Sequence, residues 1–182
     1  MIYDNIALVL SYAIIGYGLK YIDEVYDEGV YNKKIALLFV VVCSIFISYL
    51  SAIDNYSMAI FFAIIFGVAI GGKIDNNAFK TGVALTISLT FLMKYFFLHT
   101  DMIEFSYFVF FVLLIMCVLD EELDKEGHKK GKKIHKTRPF MKITIFLLWM
   151  SQSITGVYVL AFFAFDIAYE YIRYKPMRVY LI

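Results

Sequence analysis

Hydrophobic residues come in long unbroken runs along this chain, and the charged residues are gathered between them. Five runs, Ile6 to Ile22, Ile35 to Ile53, Ser57 to Gly72, Phe79 to Leu98 and Met102 to Leu119, come close to the length needed to cross a bilayer. A helix needs roughly 20 mostly apolar residues to traverse the ~30 Å hydrocarbon core. The runs lack the strict alternation of membrane barrel strands, and only helices and closed barrels satisfy their backbone groups in lipid, so helices are predicted. A sixth region, Phe140 to Tyr174, is too long for one ordinary span and a little short for two. Ser151-Gln152-Ser153 and Thr155-Gly156 interrupt it, marking either the turn of a tight hairpin or a polar, closely packed stripe in one long helix. The pattern predicts an all-α polytopic transmembrane helix bundle of six or seven spans, with residues 1–182 forming a single helical domain.

Charge placement bears on the count, because Lys and Arg near span ends favour the cytoplasmic side. If the last region is a hairpin, sixteen of the seventeen basic residues share one face and only Lys94 falls toward the other. A six-span arrangement would strand Arg173, Lys175 and Arg178 outside as well. The expected topology is therefore seven spans in the cell membrane, N-terminus outside. Asp54-Asn55 and Thr100-Asp101 carry no basic residue and read as outer turns. The longest inner connection, Asp120 to Pro139, reads as a charged cytoplasmic loop, with twelve of its twenty residues charged. The N-terminus has no basic leader region and no convincing small-residue cleavage site, so the first run is expected to stay as a span.

Composition agrees with the pattern: 62% of residues are hydrophobic and the mean hydropathy is +0.73, against about half apolar in soluble domains. The net charge of +1 says less than the position of each charge. Cys43 and Cys117 lie inside apolar runs and read as small hydrophobes, neither disulfide halves nor metal ligands. His99, His128 and His135 are isolated, and there is no HExxH, GxSxG, Walker loop or GxGxxG, which argues against zinc hydrolysis, serine hydrolysis and nucleotide chemistry. The lysine-rich inner loop suits acidic lipid headgroups. It has no interleaved aromatic residues to stack bases, so nucleic acid is not an expected partner. Gly67, Gly71 and Gly72 read as a close-packing face, and Ser151, Gln152, Ser153 and Thr155 as interhelical hydrogen-bonding groups.

Candidate chemistry lies in a pattern that occurs twice, Asp23-Glu24-Val25-Tyr26-Asp27 and Asp120-Glu121-Glu122-Leu123-Asp124, four helices apart and each at the inner end of a run. Carboxylates at i and i+4 share a helix face and can converge on a divalent cation. Each pattern is followed by a glycine and a lysine pair, Gly29 with Lys33-Lys34 and Gly127 with Lys129-Lys130, which suggests a four-helix internal repeat. Asp75 with Lys80, and Asp166 and Glu170 with Arg173, are weaker counterparts. Magnesium takes oxygen ligands and often bridges one or two carboxylates to phosphates, while lysines neutralise the remaining phosphate oxygens. The expected site has Asp23, Asp27, Asp120 and Asp124 holding Mg²⁺, with Lys33, Lys34, Lys129 and Lys130 binding phosphate.

These two motifs, with the stretch from Asp120 to Lys136-Thr137-Arg138-Pro139, resemble those of the UbiA-type membrane prenyltransferases over some forty residues. That family has eight or nine helices in a longer chain and usually places an Asn before the first Asp, which is absent here. The resemblance implies a prenyl diphosphate bound through magnesium at the cytoplasmic face. The residues lead to a Mg-dependent enzyme, a transferase by the resemblance, acting on a lipid-linked phosphate or diphosphate. The rival readings are a small transporter or channel subunit, or a non-catalytic component that assembles with partner subunits or further copies of itself through its small-residue faces. Single cysteines placed at Asn77, Lys130 and Pro176 should all label from the cytoplasmic side alone. Labelling of position 176 only from outside would replace the seven-span topology with six.

Overall fold

The computed structural model of the chain describes residues 2–27, 29, 31–74, 76–98, 105–129 and 138–174. Among them the regular structure is entirely helical: α1 (Ile2–Asp27), α2 (Lys33–Ile53), α3 (Asn55–Ile70), α4 (Asn77–Leu92), α5 (Tyr107–Lys129), α6 (Pro139–Met150) and α7 (Gly156–Tyr174). A π-helical segment, Met93–Leu98, continues α4. Two helices are long and apolar enough to cross a membrane, α1 over Asp4–Tyr26 and α2 over Lys33–Ile53. The apolar helices α3 and α6 are shorter, with 16 and 12 residues.

Local chemistry accounts for most boundaries. Asn32, Asp54 and Asn76 stand before α2, α3 and α4 in extended conformations, and each side chain accepts an N–H of the helix's first turn. Asp54 serves a second purpose by accepting the Tyr158 hydroxyl at 2.7 Å. The Phe140–Tyr174 region breaks at Ser151–Ile154. Ser151 Oγ lies 3.0 Å from the Leu148 carbonyl and 2.9 Å from Ser153 Oγ, so these polar residues close a turn and do not bridge helices as expected. Gln152 takes a positive φ there. A further difference concerns the charged inner connection, because α5 continues through Lys129 and the first half of that stretch is helix.

Small residues set how closely the helices approach. A Cβ on Gly16 of α1 would lie 2.2 Å from the Phe165 carbonyl oxygen of α7, so the two backbones touch. Gly18 accommodates Cys43, and Gly67 accommodates Cys117; both cysteines are free and buried. The core that results joins Tyr12, Phe61, Leu113, Ile145 and Phe162, each almost fully buried. Besides α1–α7, the main pairs are α1–α2, α2–α3, α3–α5, α5–α6, α6–α7 and α2–α4.

Helix α4 is attached differently. It packs on α2, where Val40 meets Ala78 and Phe79, and two hydroxyls join the helices further along. Ser44 donates to the Gly82 carbonyl at 3.1 Å and Ser48 to that of Thr86 at 2.9 Å. Although α3 and α4 are consecutive, they have no comparable contact, and a cavity lies between them. The tight α1–α7 seam predicts that Gly16→Ala destabilises by about 1–3 kcal/mol, the range for overpacking. Gly82→Ala, whose Cβ would meet Val40 at an ordinary 3.5 Å, should change the thermal midpoint little. Equal midpoints for both variants in detergent would refute the contact.

Candidate functional site

A cavity of about 590 Å³ opens at the end of the bundle where α1 and α5 carry their acidic motifs. Its apolar wall comes from α2, α3, α4 and α7, with Ile47, Ile64, Val68, Val83 and Phe165 among the contributors. Its charged floor comes from Lys20, Asp23 and Glu24 of α1, Lys73 after α3, Asp120, Glu121, Asp124 and Lys125 of α5, and Arg138 before α6. Both acidic motifs therefore line one space, although almost a hundred residues of chain separate them.

The floor is a chain of ion pairs. Lys20 Nζ bonds Asp23 and, at 2.9 Å, Glu24, one helical turn away. Lys73, carried past the end of α3 by Gly71-Gly72, reaches Glu121 at 2.7 Å and Asp124 at 2.5 Å. A Cβ on Gly71 would meet the Glu121 side chain at 3.0 Å, so Gly71 leaves the room in which Glu121 is buried. Burial alone would pull the Lys73 ammonium down, but its bonds to Asp124 and Glu121 outweigh burial and hold it above the ordinary lysine value. Arg138 stands 3.7 Å from Glu121 and its guanidinium lies over the Tyr169 ring, 5.0 Å from the centroid. Lys20 Nζ lies 5.4 Å from the centre of that ring, whose hydroxyl donates to Asp23 at 3.5 Å. Tyr169 thus connects the two halves of the floor.

Asp120 has another task. Its two oxygens accept the backbone N–H groups of Phe140 and Met141 at 3.0 and 2.9 Å, so it caps the start of α6 across twenty residues of chain. Burial raises its carboxyl above the usual range, against the opposing pull of those two N–H groups. The residue before α6, Arg138, supplies no side-chain cap and sits in the left-handed region at φ 42°.

The expected site residues divide accordingly. Asp23, Asp120 and Asp124 line the cavity. Asp27 and Lys129 close α1 and α5, while their side chains, and the whole of Lys130 and Asp75, lie outside the described residues. Lys33 and Lys34 are exposed on the first turn of α2 and do not line the cavity. The cations that do are Lys20, Lys73, Lys125 and Arg138. Lys20 was legible from its spacing to Asp23 and Glu24, and Lys73 from the glycines before it; nothing local pointed to Tyr169. Among the described residues no three ligating side chains converge as a ready metal cage.

No protein-family model, curated protein or solved structure matches the chain.

The cap on α6 yields a direct expectation. Asp120→Ala should lower stability by about 1.5–3 kcal/mol, as loss of a charged hydrogen-bonding group does, and should do so in EDTA. An Asp120 that served only as a metal ligand would leave the metal-free thermal midpoint unchanged. Lys33→Ala and Lys34→Ala, both at exposed positions, should shift it by no more than about 0.5 kcal/mol.

Proposed function

We propose that this chain is a multi-pass membrane protein whose cavity takes an anionic amphiphile, a lipid-linked phosphate or diphosphate, with its headgroup at the charged floor and its chain along the apolar wall. The observation that carries this reading is that both acidic motifs and four cations border one space whose remaining surface is apolar. The exposed apolar surface supports placement in the membrane. Every one of the seven helices leaves large apolar side chains exposed, from Leu10 at 59% on α1 to Ile167 at 67% on α7, far more than an aqueous surface tolerates in contiguous patches. The helix pairs correspond under a shift of four, since α1–α7, α1–α2 and α2–α3 map onto α5–α3, α5–α6 and α6–α7. That is the pairing a four-helix repeat would produce.

Charge balance brings Mg²⁺ into this proposal. Among the described residues five carboxylates and four cations border the cavity, and against that set a phosphate dianion alone would add to an excess of negative charge. A dianion entering with one Mg²⁺ leaves the balance as it was. Magnesium in phosphate sites is typically held by one or two carboxylates, with waters and phosphate oxygens completing its shell. The two motifs would supply those carboxylates from acids other than Asp120, which is engaged as a cap; Asp23 and Asp124 are the nearest equivalents. Such an ion withdraws charge from the phosphoryl oxygens, and Lys20 and Lys73 would neutralise charge on a departing phosphate. This is the chemistry that the likeness to UbiA-type prenyltransferases implies.

A second reading, transport, has one observation in its favour. Lys94 is buried to 2% exposure in the π-helical segment away from this cavity, and buried ionisable groups and π-helical turns both mark functional positions. Purified protein in dodecyl maltoside should bind a long-chain alkyl diphosphate more tightly in Mg²⁺ than in EDTA. Solute or ion flux in reconstituted vesicles, with no such binding, would replace the enzyme reading by the transporter.

A further inference from the structure

Among the described residues four cations line the cavity, and of these Arg138 is the one whose bonding capacity is not spent. Lys20 is held by Asp23 and Glu24, Lys73 by Glu121 and Asp124, and Lys125 by Glu122 on its own helix. Arg138 has its carboxylate contact with Glu121 at 3.7 Å, beyond hydrogen-bond reach, and that acid already touches Lys73 at 2.7 Å. Its second contact is the face of Tyr169, which attracts the cation but accepts no N–H in its plane. Among the described residues the guanidinium makes no hydrogen bond, although it carries five N–H donors in a rigid fork.

The position of this side chain is nevertheless well determined. Its backbone is left-handed, φ 42° and ψ 57°, a conformation that a non-glycine residue keeps only where its surroundings impose it. Here Pro139 opens α6 directly after it, and Asp120 holds the next two N–H groups. The face of the Tyr169 ring, from α7, then holds the guanidinium at 5.0 Å from its centroid. Strain at the backbone, a capped helix start and an aromatic platform thus present an under-used fork of donors to the cavity.

The geometry points to Arg138 as the residue that recognises the phosphate of the headgroup, exchanging its long contact with Glu121 for a two-point contact with phosphate oxygens. This assignment rests on the reading of the cavity as a headgroup site. A planar fork matches two phosphate oxygens in a way that a lysine ammonium cannot. Glu121 loses little by the exchange, since Lys73 remains bound to it.

The test uses the full chain in dodecyl maltoside with Mg²⁺, dodecyl phosphate as probe and dodecanol as the uncharged control. Wild type should bind dodecyl phosphate and not dodecanol, and Arg138→Lys, which keeps the charge, should bind about ten- to a hundredfold more weakly. A second measurement needs no variant: dodecyl phosphate should protect Arg138 of the wild type from phenylglyoxal, read by mass spectrometry, and dodecanol should not. Arg138→Lys binding as tightly as wild type, or Arg138 reacting equally fast with and without dodecyl phosphate, overturns the assignment while the cavity reading stands. Wild type that binds neither probe overturns the cavity reading itself.

Discussion

Asp120 and Glu121 are buried side by side in the second half of α5, at 3% and 2% exposure, and the charged end of the bundle is organised by the need to satisfy them. A carboxylate removed from water costs several kcal/mol unless cations or N–H donors replace the solvent. Asp120 is met by the first N–H groups of α6, and Glu121 by Lys73 from beyond α3, with Arg138 at longer range. The two neighbouring acids therefore tie together three elements that are distant in the chain. Through Tyr169 the same network extends to α7 and α1. Lys20, Lys73 and Glu121 each face two partners, so the floor is linked as one network.

The opposite end of the bundle has its own polar knot, smaller and, among the described residues, without an ion pair. Asp54 takes the Tyr158 hydroxyl and a backbone N–H of α3, and the nearby Ser57 accepts the Tyr12 hydroxyl at 3.0 Å. Between the two ends the helices meet through glycines and cysteines, which lets α1 and α7 approach to backbone contact. Helix α4 lies outside this scheme because its partner α2 offers it serine hydroxyls. The space left between α3 and α4 is the cavity, and α4 supplies one side of the apolar wall beside the charged floor.

That combination limits what the site can take. A purely apolar ligand would make no use of the charged floor, and a small ion would leave the wall bare. Under the proposed function, an amphiphile with a phosphate at one end would match both, and Mg²⁺ would supply the charge compensation that the floor's own cations do not.

The sequence by itself determined the helices. Backbone hydrogen bonds of a helix are local, and the apolar runs, caps and polar breaks that delimit them can be read within a few residues. The break after Met150 and the equivalent placement of Asp23 and Asp120 were legible for that reason, as was the packing use of Gly67 and Gly71. Only the tertiary structure decided which cations serve the acids. Lys33 and Lys34 follow the first motif closely in the chain, yet α2 turns them outward, while Lys73 and Arg138 arrive from separate elements. It also decided that Asp120 caps a helix starting nineteen positions later. The physical reason is common to both: a buried charge is satisfied by whatever group the packing of other helices brings within about 3 Å, and no local periodicity encodes that meeting.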